Sequence, residues 1–181
     1  MKTIELLSFA LALWCAVHAS PPCLGATLCG RVVKVSDGDT VTVLDAAKAQ
    51  HRIRLNAIDA PEKSQAFGQK SKERLSSLVF GKDITATWKS KDKYGRILGT
   101  VFVGPEDINL AMVRDGFAWH YRRFDNSPAY AAAEAEARRG RLGLWRDSAP
   151  IPPWEFRRTK NRVGRSATND AANGIIQGED K

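Results

Sequence analysis

Two hydrophobic periods divide this chain, and their order leaves few folds open. Gly30 to Val35, Thr40 to Leu44 and His51 to Leu55 are short, β-branched and alternating, with Asp37-Gly38 as a turn signal between the first two. These stretches predict a three-stranded meander. From Gln65 to Val79 the period changes: Ala66, Leu75, Leu78 and Val79 fall near helical spacing among Lys and Glu, and Gly81 stops the helix. Asp83 to Trp88 and Ile97 to Val103 read as two more strands, joined by a polar loop that carries Lys91 to Arg96. Five short strands with a helix after the third match the order of an OB-fold, a small Greek-key barrel common among nucleic-acid binders. On periodicity alone an SH3-like barrel or an α+β sandwich stays open.

After Gly104-Pro105 the chain turns helical. Asp107 is placed to cap Ile108 to Arg114, with Gly116 at the far end, and Ala129 to Arg139 forms an Ala/Glu/Arg-rich helix closed by Gly140 or Gly143. Leu142-Gly143-Leu144-Trp145 is an apolar cap. Residues 30–148 therefore read as one domain, and 149–181 as a polar tail without periodicity, expected to be disordered.

The first 19 residues read as an export signal. Lys2 opens it, Leu6 to Val17 is an apolar run too short for a comfortable membrane span, and Val17-His18-Ala19 offers small residues for cleavage. The mature protein is then expected to be secreted or periplasmic, without stable membrane insertion, and monomeric. Cleavage leaves Cys23 and Cys29 on an arm over 20–29. In an exported chain they can pair into a disulfide, two free thiols being the alternative. A net charge of +8 over 181 residues favours a polyanionic partner and carries no information about catalysis.

Three loops carry the chemistry. Asp37-Gly38-Asp39-Thr40 is by itself hairpin-turn material. Arg54 closes a strand, Asp59 follows five residues on and Glu62 three beyond that, with Pro61 stiffening the turn and the carbonyl of Ala60 open to a hard cation. Asp92-Lys93-Tyr94-Gly95-Arg96 is a glycine turn able to aim Arg96 over the mouth of a barrel, with Lys93 and Tyr94 suited to a nucleotide. Carboxylate oxygens suit Ca²⁺ or Mg²⁺, and guanidinium forks suit phosphate. Each loop alone also reads as a solvated, charged turn.

Taken in order, Asp37-Gly-Asp-Thr, Arg54-Leu…Asp59-Ala-Pro-Glu62, Tyr94-Gly-Arg96, Asn109-Leu…Val113-Arg-Asp-Gly116-Phe-Ala and Arg141-Leu-Gly-Leu-Trp145 resemble the thermonuclease (staphylococcal nuclease-like) family, from about Gly30 to Trp145. The resemblance implies a five-stranded OB-fold barrel with three helices, α+β but mainly β, and a Ca²⁺-dependent endonuclease acting on DNA and RNA. It implies that Asp39 and Asp59 hold the ion with the carbonyl of Ala60, that Arg54 and Arg96 clamp phosphate, and that Glu62 activates or orients the attacking water. Lys93, Tyr94 and Tyr121 would line the substrate site. Water would expel the 5′-oxygen and leave a 3′-phosphate. Three departures stand out: Ala60 replaces a threonine, the nucleotide-flanking aromatic pair is not plainly reproduced over His120 to Phe124, and the loop after Glu62 is short.

Two other classes compete. A non-catalytic nucleic-acid-binding barrel would be expected to lack some of Asp39, Arg54, Glu62 and Arg96, and all are present. A metal-independent ribonuclease would use His51 and His120, for which a packed or surface histidine is the commoner role.

Overall fold

A computed structural model describes residues 27–162. The expected export signal, Cys23 and the last part of the expected tail lie outside the described residues. Cys29 is disulfide-bonded, and the partner expected for it, Cys23, falls in that outer segment. Along the chain come β1 (Thr27–Asp37), β2 (Thr40–Leu44), β3 (Gln50–Leu55), β4 (Ile58–Asp59), α1 (Gly68–Val79), β5 (Asp83–Lys91) and β6 (Ile97–Val103). They are followed by β7 (Glu106–Asp107), α2 (Ile108–Arg114), β8 (Trp119–His120), α3 (Pro128–Arg139), a 3-10 turn at Gly143–Arg146 and a helix α4 over 153–162.

The five long strands hydrogen-bond in the order β3-β2-β1-β5-β6, and β3 then pairs with β6 to close the ring. All the ladder steps are antiparallel except that closing one, which is parallel from Ile53 opposite Ile97 to Leu55 opposite Gly99. This is the closed five-stranded OB-type barrel that the strand order suggested. Its interior holds the inward half of each alternating strand, including Val41, Val43, Ile53, Leu55, Ala86 and Val101, all fully buried or nearly so. Val32 and Val35 are both buried although three residues apart. A register shift between Val32 and Lys34 absorbs the odd residue, as a β-bulge does, and returns Val35 to the inside. Leu75 and Val79 of α1 and Ile108 and Met112 of α2 join the same core.

The parallel seam is fastened by a side chain from α2. Asn109, fully buried, donates from Nδ2 to the carbonyls of Asn56 (3.0 Å) and Gly99 (3.1 Å) and to Oδ1 of Asn56 (2.9 Å). Its own Oδ1 accepts the Val101 N–H at 3.1 Å. One amide thus satisfies backbone groups on both sides of the place where β3 leaves β6. Asp107 caps α2 as its position suggested, accepting the Leu110 N–H at 2.9 Å, and Tyr130 of α3 donates to the same carboxylate.

Two elements differ from the sequence-based expectation. The helix read from Gln65 starts at Gly68, because 62–67 are wound into turns that serve Glu62. Gln65 N–H donates to the Glu62 carbonyl (2.8 Å) and Gly68 N–H to that of Gln65 (3.0 Å). Phe67 sits at φ 65°, in the left-handed region. The second difference is the tail: 153–162 is helical, so the described residues carry four α-helices rather than three. Pro152-Pro153 opens α4 with a fixed φ suited to a first turn, and the aromatics that follow give it a face to bury.

Replacing Asn109 by alanine leaves the Val101 N–H and the Gly99 and Asn56 carbonyls without their partner. Urea unfolding of Asn109→Ala should show a loss of about 3 kcal/mol, since each such group costs roughly 1–3 kcal/mol. A loss under ~1 kcal/mol would mean that the seam does not depend on this amide.

Candidate active site

The first acidic loop is shaped by steric demand at Gly38. A Cβ there would lie 2.0 Å from Ser71 Oγ on α1 and 2.7 Å from the Ala60 methyl, so only glycine lets the β1–β2 turn lie between them. Within that turn Asp37 Oδ1 accepts the Asp39 N–H at 3.1 Å, which makes Asp37 the residue that sets the turn. Asp39 points inward, accepting the Ala60 N–H at 2.9 Å and the Thr40 hydroxyl at 3.1 Å.

Arg54 reaches from β3 between the two aspartates. One arm of its guanidinium contacts Asp39 Oδ2 and the other donates to Asp59 Oδ1 at 2.8 Å. The Asp59 side chain is only 1% exposed and that of Arg54 16%. Charges so far from water persist only when paired and hydrogen-bonded. Asp59 itself is fixed by β4, whose pairing with β8 sets it opposite Trp119.

Glu62 is held by its backbone. Its N–H donates to Gln65 Oε1 at 3.1 Å, and a Cβ at Gly68 would lie 2.0 Å from its carbonyl oxygen. The short loop is therefore a tight frame, and Glu62 keeps its carboxylate half-exposed at the cavity. Arg96 comes from the opposite side. The β5–β6 loop is organised by Asp92, which accepts the N–H groups of Tyr94 and Arg96 (each 2.9 Å) and Arg96 Nε at 2.7 Å. Partial burial works against the Asp92 charge, but the Arg96 side chain and these two backbone donors outweigh it and hold the carboxyl below its ordinary value.

Asp39, Arg54, Asp59, Ala60, Glu62, Tyr94 and Arg96 all line one cavity of about 300 Å³. Of the expected site residues, only Lys93 and Tyr121 do not. Lys93 is exposed, with Nζ 5.0 Å from the centre of the Tyr94 ring. Tyr121 stacks on Trp154 of α4 (centroids 5.2 Å apart, planes at 3°) and meets Phe124 edge-on. It borders a larger groove of about 1000 Å³ that also touches Arg54, Trp88, Asp92 and Phe124. The two histidines stand elsewhere: His51 pairs with Asp45 at 2.7 Å, and buried His120 faces Asp125 at 3.0 Å. Neither lines the acidic cavity.

Asp39 and Asp59 are hard oxygen donors beside the Ala60 backbone, while among the described residues no three His, Cys, Asp or Glu side chains gather into a metal-holding cluster. Two carboxylates completed by carbonyl or water oxygens suit an oxygen-seeking divalent cation rather than zinc.

The residue that sequence reasoning missed is Arg157 on α4. Its Nη2 donates to Asp59 Oδ2 at 2.7 Å, and its Nη1 to Glu62 Oε1 at 2.7 Å and Asp59 Oδ1 at 3.2 Å. Burial opposes its charge, yet the hydrogen bonds and charges of Asp59 and Glu62 prevail and raise its pKa above the ordinary arginine value. The signal was present in Trp154-Glu155-Phe156-Arg157-Arg158, an aromatic and basic run directly behind two prolines. The polar character of the tail as a whole concealed it.

A family model described as "Staphylococcal nuclease homologue" matches residues 52–147. The chain belongs to this family. Among its relatives, an uncharacterized endonuclease of Escherichia coli is 48% identical over 141 residues, covering 77% of this chain and 91% of that protein. An uncharacterized endonuclease of Haemophilus influenzae is 48% identical over 128 residues, 71% and 72% of the two chains. A micrococcal nuclease of Shigella flexneri is 41% identical over 152 residues, 77% and 84%. The staphylococcal nuclease segment thus holds Arg54, Asp59, Glu62 and Arg96. Asp39 precedes the matched stretch and Arg157 follows it.

The lowered pKa of Asp92 has a definite pH consequence. A carboxyl depressed in the folded protein contributes stability above its ordinary value of 3.8, and loses that contribution as pH falls through the folded value. Urea unfolding should therefore find Asp92→Asn less stable than wild type at pH 7, with the gap narrowing toward zero below about pH 4. A gap independent of pH would assign the effect to something other than the Asp92 charge.

Proposed function

We propose that the protein is an exported, Ca²⁺-dependent nuclease that hydrolyses phosphodiester bonds in DNA and RNA. That it is a hydrolase of the nuclease type is supported by its family and by relatives named as endonucleases and as a micrococcal nuclease. The observation that carries the chemistry is the convergence of Asp39, Asp59, Glu62, Arg54 and Arg96 on one cavity. Asp39 and Asp59 would hold Ca²⁺ with the Ala60 carbonyl, and the ion when bound would supply positive charge against a phosphate oxygen. The reading of export rests on residues 1–19, and among the described residues no helix is long and apolar enough to cross a membrane.

The chain's own groups account for the remaining steps. Arg54 approaches the cavity from β3 and Arg96 from the β5–β6 loop, so a phosphodiester between them would meet a guanidinium on each side. Attack by water adds charge to the phosphoryl oxygens, and fixed donors that bind this charge more tightly than the ground state accelerate the step. Glu62, half-exposed and framed by Gln65, accepts the proton of the attacking water or holds that water in line. The bond from phosphorus to the 5′-oxygen breaks, the 5′-oxygen takes a proton from solvent, and the phosphate stays on the 3′ side. Tyr94, 69% exposed at the rim, offers a face to a neighbouring base. The protein acts as a monomer in this reading, with nucleic acid as its partner.

Digestion of single- and double-stranded DNA and of RNA, each with Ca²⁺, Mg²⁺ or chelator, tests the proposal. Cleavage of both polymers that is lost in chelator and restored by Ca²⁺ is the expected result; undiminished cleavage in chelator refutes the cation requirement. Glu62→Gln and Arg96→Ala should each lower turnover by roughly 10²-fold or more with folding intact, the usual scale for a lost acid–base group or charge-stabilising donor. Near-normal cleavage by either variant would remove that residue from the mechanism.

A further inference from the structure

Asp59 has no unclaimed carboxylate oxygen. Oδ1 accepts from Arg54 at 2.8 Å and from Arg157 at 3.2 Å, and Oδ2 accepts from Arg157 at 2.7 Å. The second arm of Arg157 simultaneously takes Glu62 at 2.7 Å. Arg54 is built into the barrel wall, whereas Arg157 is 40% exposed and enters from a helix outside the barrel.

The helix is seated deliberately at this spot. Trp154, one turn before Arg157, stacks flat on Tyr121 and meets Trp119 edge-on at 5.6 Å. Gln65, whose Oε1 holds the Glu62 N–H, donates from Nε2 to the Ile151 carbonyl at 2.6 Å. The loop that frames Glu62 and the segment that leads into α4 are therefore tied to the same side chain. Arg157 is delivered to the two acids by two anchored residues that precede it, Ile151 and Trp154.

We propose that Arg157 is a working residue of the active site that sets its affinity for divalent cations: it neutralises Asp59 and Glu62 in direct competition with the cation. A guanidinium fork and a hard divalent cation seek the same oxygens. For Asp59 to turn an oxygen to a cation, Arg157 must surrender at least one of its hydrogen bonds, and the cation's apparent affinity falls by the free energy of that exchange. The coupling is reciprocal, so a bound cation weakens the hold of Arg157 on the acids by the same factor. This inference rests on the reading that Asp59 is a cation ligand.

Isothermal titration of the full chain with CaCl₂ alone, without nucleic acid, tests it independently of catalysis. Arg157→Gln should bind Ca²⁺ about tenfold more tightly than wild type, within the usual range of coupling between sites. Arg158→Gln removes the same charge from the next residue, which lies away from the acidic cavity, and should leave the affinity unchanged. Equal affinity in wild type and Arg157→Gln, or weaker binding by that variant, overturns the proposal. Equal tightening by both variants also overturns it, since net charge alone would then be the cause. Absence of Ca²⁺ binding by all three proteins defeats the underlying reading of Asp59 and this inference with it.

Discussion

Two carboxylates pushed out of contact with water govern this molecule. Asp59 is fully buried and Asp39 nearly so, and carboxylates buried this deeply are costly unless paired and hydrogen-bonded. Arg54 pairs with both. Its backbone lies in the closing strand of the barrel, opposite Thr40 on one side and Leu98 on the other. The same strand that completes the ring therefore neutralises the site, and a barrel closed in another register would strand both acids without their partner. Fold and site share a single constraint.

Around this rigid wall stand parts held by more local means. Arg96 is positioned within its own hairpin by Asp92, four residues away, and owes little to the acids it faces. Glu62 depends on a turn in which Gly68 allows the chain to fold back against its carbonyl. The arrangement combines a deep pair of acids, which the barrel fixes, with less buried groups that local turns hold at the cavity. Such a division suits chemistry in which charge must be met at defined points while a flexible polymer passes over the surface.

Much of this was legible in the sequence because apolar and polar residues alternate over most of the long strands, with β1 interrupted by a bulge, and helical spacing replaces that alternation ahead of α1. Asp39, Arg54, Asp59, Ala60, Glu62, Tyr94 and Arg96 could be grouped because turns and proline fix them at strand ends, where a barrel brings loops together. The two-residue strands β4, β7 and β8 left no periodic trace. Asn109 read as one polar residue in a helix, and nothing local says that its amide would span the seam between β3 and β6. Tyr121 was expected at the substrate site only through the family resemblance; it stacks on Trp154, whose docking depends on a helix that composition concealed. Arg157 escaped for the same reason: its partners are 98 and 95 residues away, and long-range ion pairs leave no spacing to read.

The position of α4 bears on where the functional unit of this protein ends. The segment that defines the family stops at residue 147, and the barrel and its first three helices are complete by then. A chain cut at that point would retain every acid and both arginines of the barrel. It would nevertheless expose the faces of Trp119 and Tyr121 and free two carboxylates from a counter-charge, and so become a differently tuned protein. The family match ends at residue 147, whereas the lining of the acidic cavity extends ten residues further on, to Arg157.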